Sequence, residues 1–291
     1  DDQDIEKVKV QYFDLSLRKW VTQAIVTENG EEKIIESGHK AEDDPEDVVK
    51  VDLKKSKINK VTIKFRYKIR VKNEGNIAGY AKELKDYIPN GLKFVPEDNP
   101  LWKQIDEKTI TTDQTKDILL QPGDTTEVEV VLTWINDSEN FGVMDNWAEI
   151  SKDHNDFNSP DIDSTPDNVD KKNEDDDDYE VINIKTFDLS LLKYVSTVYV
   201  TEDGKTTTSQ TGNTGDDNTD KIPKVEVNKK KLDSTVVKFG YTIKITNEGD
   251  IAGYAKEITD YVPEGLKFYA EDNNGWKDEG NNVISTKLLE N

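Results

Sequence analysis

The chain contains one long pattern twice. The stretch KFRYKIRVKNEGNIAGYAKELKDYIPNGLKF (64–94) recurs as KFGYTIKITNEGDIAGYAKEITDYVPEGLKF (238–268), with 21 of 31 residues identical and no gap. Phe13 and Phe187, Lys19 and Lys193, Asn73 and Asn247, Asp86 and Asp260, and Trp102 and Trp276 all keep the same separation of 174 residues. Self-similarity at a fixed period marks a repeated structural unit. One unit is expected over 1–174 and a second over 175–291, and the acidic leader DDQD of the first is answered by DDDD at 175–178. The second copy ends before any counterpart of LTWINDSENFGVMDNWAEISKDHNDFNSPDIDSTPDN, so it is expected to lack its C-terminal strands. Truncation is the preferred reason, and completion by another chain through strand addition is the other.

Inside each unit the apolar residues recur with period two, which reads as half-buried strands. Strands are expected at 8–26, 61–72, 80–87, 126–135 and 144–151. Turn chemistry separates them: ENGE at 28–31, NEGN at 73–76, PNG at 89–91 and QPGD at 121–124. No segment sustains a helical period. The expected fold is all-β, two tandem immunoglobulin-like β-sandwiches with the second truncated. The polar, acidic, proline-containing segment at about 152–180 reads as the linker.

Charge and composition remove several function classes. A net charge of −22 disfavours nucleic-acid binding, which needs a basic surface. No apolar run approaches the roughly 18 residues of a membrane span. The absence of cysteine rules out disulfides and thiolate metal sites. His39 and His154 stand in separate polar stretches, with no motif for a Ser/His/Asp triad, and no glycine-rich phosphate loop is present. The chain is therefore expected not to be a turnover enzyme and to need no cofactor beyond a candidate cation.

One residue disturbs the strand pattern. Phe13, Leu15, Leu17, Lys19 and Val21 alternate onto one face, apolar except for the lysine, and Lys193 repeats the exception. In VMDNWAEIS, Asn146 shares a face with Ala148 and Ile150, opposite Trp147 and Glu149. In YAKELKDYIPNGL, Asp86 shares a face with Leu84, and Glu83 on the opposite face is the second choice of acid. The first and last strands are expected to lie side by side, which would bring Lys19, Asn146 and Asp86 together in the core. Burial disfavours both the ammonium and the carboxylate, and a neutral amine is a nucleophile. Attack on the Asn146 amide, with Asp86 shuttling the proton, would release ammonia and leave a Lys–Asn isopeptide bond. Bland readings stand beside this one: Lys19 snorkelling to water, Asp86 bracing a turn, and Asn146 satisfied by backbone.

FDLSLRK, YKIRVKNEGNIAGYAKELKDYIPNGLKF, NWAEIS and DIDSTPDN together resemble the conserved repeat domain of Gram-positive surface proteins, domain of unknown function 11, and the logic is similar to collagen-adhesin-type domains with internal isopeptide bonds. The resemblance implies an extracellular, cell-wall-attached protein with Lys19 and Asn146 as cross-link partners and Asp86 as the acid. In the second unit it implies Lys193 and Asp260, with no asparagine partner in this chain. It implies a structural stalk whose partners are neighbouring repeats. The alternatives are an adhesin binding host protein or glycan, and a non-catalytic segment of a large extracellular enzyme.

Calcium takes about six to eight oxygen ligands. Asp156, Asp161, Asp163 and Asp167, followed by Asp170 and Asp175 to Asp178, make the linker a candidate calcium site, although DIDSTPDN lacks the spacing of an EF-hand. A solvated charge run is the plainer expectation. Trp20 and Trp147 are expected to stack on each other outside the lysine layer.

Overall fold

A computed structural model of the chain describes residues 3–43, 49–137, 140–169, 174–215 and 223–289. Asp1, Asp2 and Asp170 lie outside the described residues. The chain divides into two compact units, Asp1–Thr186 and Phe187–Asn291.

Among the described residues the first unit has eleven strands: β1 (Leu15–Glu28), β2 (Glu31–Glu36), β3 (Val49–Lys54), β4 (Val61–Asn73), β5 (Tyr80–Tyr87), β6 (Leu92–Phe94), β7 (Lys103–Gln104), β8 (Thr109–Thr112), β9 (Thr125–Trp134), β10 (Gly142–His154) and β11 (Asp177–Phe187). They form two sheets, ordered β2-β1-β4-β9-β6 and β3-β11-β10-β5-β8-β7. The alternating residues Ile63, Phe65, Tyr67, Ile69 and Val71 of β4 are fully buried, and they join Leu84, Ala148, Ile150, Ile182 and Ile184 of the other sheet in a single core. This is the all-β sandwich expected from the period-two pattern.

Three features depart from expectation. Residues 8–14 precede β1 instead of extending it. The first and last strands of the repeat do not pair: β1 lies against β4 in one sheet, whereas β10 lies between β5 and β11 in the other. A period of two fixes which side chains face the core but not which strand lies alongside. At the start of β5 the face also differs, with Ala81 buried and Lys82 half-buried. There the register against β10 slips, opposite Ser151.

The acidic segment after β10 is folded onto the first unit. Phe13 bridges Asp161 in parallel, Ile162 N–H donates to Phe13 O at 3.1 Å, and Asn155 caps the turn by accepting from Phe157 and Ser159 N–H. The DDDD run is also structural. Asp176 and Asp177 are 2% and 5% exposed, and the chain from Asp177 becomes β11, antiparallel to β10. The compact unit thus ends twelve residues beyond the sequence period of 174, because the second period opens with a strand that the first sandwich uses.

The second unit has β12 (Leu189–Glu202), β13 (Lys205–Gln210), β14 (Thr235–Asn247), β15 (Ile258–Tyr261), β16 (Trp276–Gly280) and β17 (Val283–Thr286), in sheets β13-β12-β14 and β15-β17-β16. The β12–β14 register copies β1–β4 residue for residue, including the bulge after Val195 that matches the one after Val21. Counterparts of β9 and β10 would fall beyond position 291. Leu191 is accordingly 54% exposed where Leu17 is 0% exposed.

If β11 belongs to the first unit, Ile184→Ala leaves a cavity and costs about 2–5 kcal/mol. Val143→Ala, on an exposed position of β10, changes stability by no more than about 0.5 kcal/mol. Denaturant unfolding of the two variants checks the contrast.

Candidate functional site

Three core-facing polar side chains meet between the two sheets. Lys19 is on β1 in one sheet, opposite Ile69 of β4. Asp86 and Asn146 are in the other sheet: Ala148 of β10 is the direct partner of Asp86 on β5, so Asn146 is its diagonal neighbour two residues along the same face. Facing sheets pack about 10 Å apart, a gap that a long, unbranched lysine can cross.

The Lys19 ammonium pairs with Asp86 Oδ2, and both side chains are 0% exposed. The other oxygen of Asp86 accepts from Asn146 Nδ2 at 2.8 Å. Asp86 therefore touches both groups. Asn146 Nδ2 also donates to Tyr87 O at 3.0 Å, and Lys19 Nζ donates to Trp147 O at 3.3 Å and lies 5.1 Å from the centre of the Tyr67 ring. Among the described residues, Asn146 Oδ1 and Tyr67 OH are buried with no hydrogen-bond partner. Burial lowers the Lys19 pKa, and Asp86 is the largest opposing influence. Burial also pushes the Tyr67 hydroxyl well above its ordinary range.

Sequence reasoning did not find the acids that support this site. Among the described residues, the first half of β1 has no ladder partner beyond β4, since β2 pairs only from Gln23 onward. Its inward-facing residues instead donate N–H groups to the leader of the second repeat: Leu17 to Asp175 O at 2.7 Å, Lys19 to Asp178 Oδ2 at 2.7 Å, and Val21 to Glu180 Oε2 at 3.4 Å. Glu180 also meets His39 Nδ1 at 3.3 Å. Burial raises the pKa of both Asp178 and Glu180. The signal was present in a buried-strand pattern, DDYEVINIK, that follows directly on the acid run.

Other candidates fall elsewhere. Glu83 binds Lys152 at 2.9 Å and Ser151 at 3.1 Å, away from Lys19. Glu149 was expected on the open face of β10 but is 0% exposed; it pairs with Tyr87 OH and accepts from Asn168 and Val169 N–H at 2.8 and 2.9 Å. Trp20 and Trp147 do not stack on each other. Arg70 lies over Trp20 at 5.3 Å, and Trp147 stacks on Tyr179 of β11 at 4.4 Å. In the second unit Lys193 pairs with Asp260 beside Tyr241, repeating the geometry of the first unit, but its side chain is 29% exposed.

Of the four expected cation ligands, Asp161 and Asp163 join Asp14 and Asp175, with carboxylate oxygens all within 4.8 Å of one another. Asp167 instead pairs with Lys85, and exposed Asp156 lies 3.9 Å from His154. Asp14 Oδ1 and Asp175 Oδ1 are buried with no hydrogen-bond partner among the described residues. Burial and the neighbouring carboxylates push Asp14 up to about 6 and Asp175 up to about 7. Burial, with help from Glu174 and Asp177, pushes Asp176 up to about 8.

No protein-family model matches the chain, and no curated protein does. Among solved structures, an adhesin from Mobiluncus mulieris containing intramolecular disulfide, isopeptide and ester bond cross-links aligns over 94% of this chain and 96% of its own, at 10% identity and a TM-score of 0.24. The pilus backbone RrgB from Streptococcus pneumoniae aligns over 86% of this chain and 54% of its own, at 9% identity and a TM-score of 0.25. Scores this low leave the reading of the site to its own geometry.

The raised carboxylates have a pH consequence. Their folded pKa values exceed the unfolded value, so between about pH 4 and 8 the folded state binds more protons than the unfolded one, and their contribution to stability falls as pH rises. Without divalent cations, Asp175→Asn is expected to raise the melting temperature at pH 8 and to change it little at pH 5. A pH series of thermal melts for wild type and variant checks this.

Proposed function

We propose that the first unit is a load-bearing sandwich that closes its own Lys19–Asn146 isopeptide bond, and that the chain is part of a structural stalk on a bacterial cell surface. The observation that carries the reading is Asp86, which contacts the Lys19 amine with one oxygen and the Asn146 amide nitrogen with the other in a fully buried setting. Solvent-exposed surroundings would leave the amine an ammonium; here desolvation favours its neutral form.

The chemistry follows from those contacts. Transfer of a proton from Lys19 to Asp86 leaves a neutral amine and a protonated acid. The Nζ lone pair attacks Asn146 Cγ and forms a tetrahedral centre. Asp86 returns the proton to the departing nitrogen, which sits within hydrogen-bond reach of it. The Cγ–Nδ2 bond breaks and ammonia leaves, and the second Nζ proton passes to the Asp86 carboxylate, so that a neutral amide and a protonated acid remain. The reaction runs once, so the protein processes itself and turns over no substrate. Packing holds the reactants together and removes the entropic cost of meeting.

The product joins the two sheets to each other. Residue 19 is in one and residue 146 in the other, so separating the layers would require breaking a covalent bond. By analogy with disulfide loop entropy, the cross-link contributes roughly 5 kcal/mol, and an amide, unlike a disulfide, is not reducible. Such a module suits an extracellular appendage under shear, whose partners are neighbouring repeats.

Calcium at the Asp14, Asp161, Asp163 and Asp175 carboxylates is the second element of the proposal, supported by their mutual approach and by the two oxygens without donors. A cation there would tie the base of β1 to the segment after β10.

The intact mass is expected to fall one ammonia short of the sequence mass, whereas Lys19→Ala, Asp86→Ala and Asn146→Ala each give their full calculated mass; a full-length wild-type mass rejects the bond. For the cation, calcium is expected to raise the melting temperature at pH 7.5 and a chelator to reverse the rise. An unchanged melt rejects the site.

A further inference from the structure

The strand that completes the first sandwich comes from the opening of the second repeat, and the first repeat opens with the same pattern. Set 174 residues apart, Ile5, Glu6, Val8 and Val10 match Tyr179, Glu180, Ile182 and Ile184, and Asp4 matches Asp178. In β11 the counterparts are covered: Ile182 and Ile184 are 0% exposed, paired with Met144 and Gly142 of β10. In the leader, Val8 and Val10, which share one face, are 87% and 77% exposed, and Ile5 on the opposite face is 84% exposed. An alternating apolar face of this kind, held away from any core, is an unsatisfied sheet edge. Its base is nevertheless fixed. Tyr12 N–H donates to Asn76 Oδ1 at 3.0 Å, Asn76 and Ile77 N–H donate to Tyr12 O, and Asn76 Nδ2 donates to Val10 O at 2.9 Å. The segment therefore leaves β1 at a defined point with its apolar face uncovered.

We infer that residues 3–12 are a docking strand whose partner is a sister sandwich of this same repeat type, and that they add antiparallel to its β10-type strand as β11 does here. Val8 and Val10 would enter the sister core. Asp4 and Glu6 would take the places of Asp178 and Glu180, accepting the N–H of the sister's β1-type lysine and that of the residue two further along the same strand. In such an array every sandwich is finished by the segment that begins the next, through main-chain pairing along the strand. The docking itself does not depend on the isopeptide reading, since it rests on strand register and burial alone.

The β10 edge of the first unit serves as the sister edge in a test on the full chain. In a graft, 177–185 is replaced by the sequence of 3–11 through Asp177→Gln, Tyr179→Ile, Val181→Lys, Ile182→Val, Asn183→Lys, Ile184→Val and Lys185→Gln. A second chain carries the leader sequence shifted by one residue, so that its lysines face the core. A third carries Ile182→Val and Ile184→Val alone, as a packing control. The readout is amide hydrogen exchange of peptides within Gly142–His154. The in-phase graft is expected to keep β10 protection within about tenfold of the packing control, and the shifted graft to lose at least about a hundredfold. Loss of protection in the in-phase graft while the packing control keeps it overturns the inference. Equal protection in both grafts overturns it too, because the pattern would then carry no specificity.

Discussion

The buried contact between Lys19 and Asp86 is the constraint around which the first sandwich is arranged. Two opposite charges in an apolar layer lose hydration that their attraction repays only with good geometry and further hydrogen bonds. Those bonds are present: Asp86 accepts from Asn146, Lys19 donates to Trp147 O, and the Tyr67 ring lies beneath the amine. Removing either charge alone would leave the other uncompensated. The contact also sets the alignment of the layers, because Lys19 belongs to one sheet and its partners to the other. A slip of one residue in β1 would turn the amine outward and strand Asp86.

That constraint explains why acids crowd the strand that closes the unit. Among the described residues, the first half of β1 has β4 on one side and no ladder partner on the other, and an open row of buried N–H groups is costly. β11 supplies side-chain acceptors and Asp175 just before it supplies a backbone one: Asp178 accepts the Lys19 N–H and Glu180 the Val21 N–H. One set of residues thus covers an edge and places negative charge beside the amine. The same economy leaves Asp14, Asp161, Asp163 and Asp175 close together, where repulsion opposes the fold.

The chemistry-bearing residues were legible because each has apolar neighbours two positions away on its own face. Leu17 and Val21 fix the inward face at Lys19, Ala148 and Ile150 fix it at Asn146, and Leu84 fixes it at Asp86. Partnership between strands was not legible. Alternation is a property of one strand, whereas the placement of β1 and β10 in opposite sheets depends on hydrogen bonds made far away in sequence. The four-aspartate run misled for a related reason. Composition reads it as solvated, but Asp176 and Asp177 are buried by their position at the start of a central strand. Trp147 likewise took its partner, Tyr179, from a strand that composition had assigned to a linker.

A repeat period and a folding unit need not share boundaries, and the difference has mechanical meaning. A period counted from the acidic leader starts at residue 175, yet the sandwich that uses that leader is the preceding one. The chain passes from β11 at Phe187 to β12 at Leu189 with only Asp188 between them. A strand that belongs to one sandwich by pairing and to the next by covalent continuity leaves no free linker to stretch. Tension along the chain would therefore load the β10–β11 ladder in shear, with its hydrogen bonds sharing the load, before it reached the loops. The Lys19–Asp86–Asn146 contact lies inside that loaded layer, since Asn146 is itself a residue of β10 opposite Glu180. A cross-link at this point would join β10, beside the strand that takes the pull from the C-terminal side, to β1, which takes the pull from the N-terminal side, so that a single covalent bond would restrain separation of the layers.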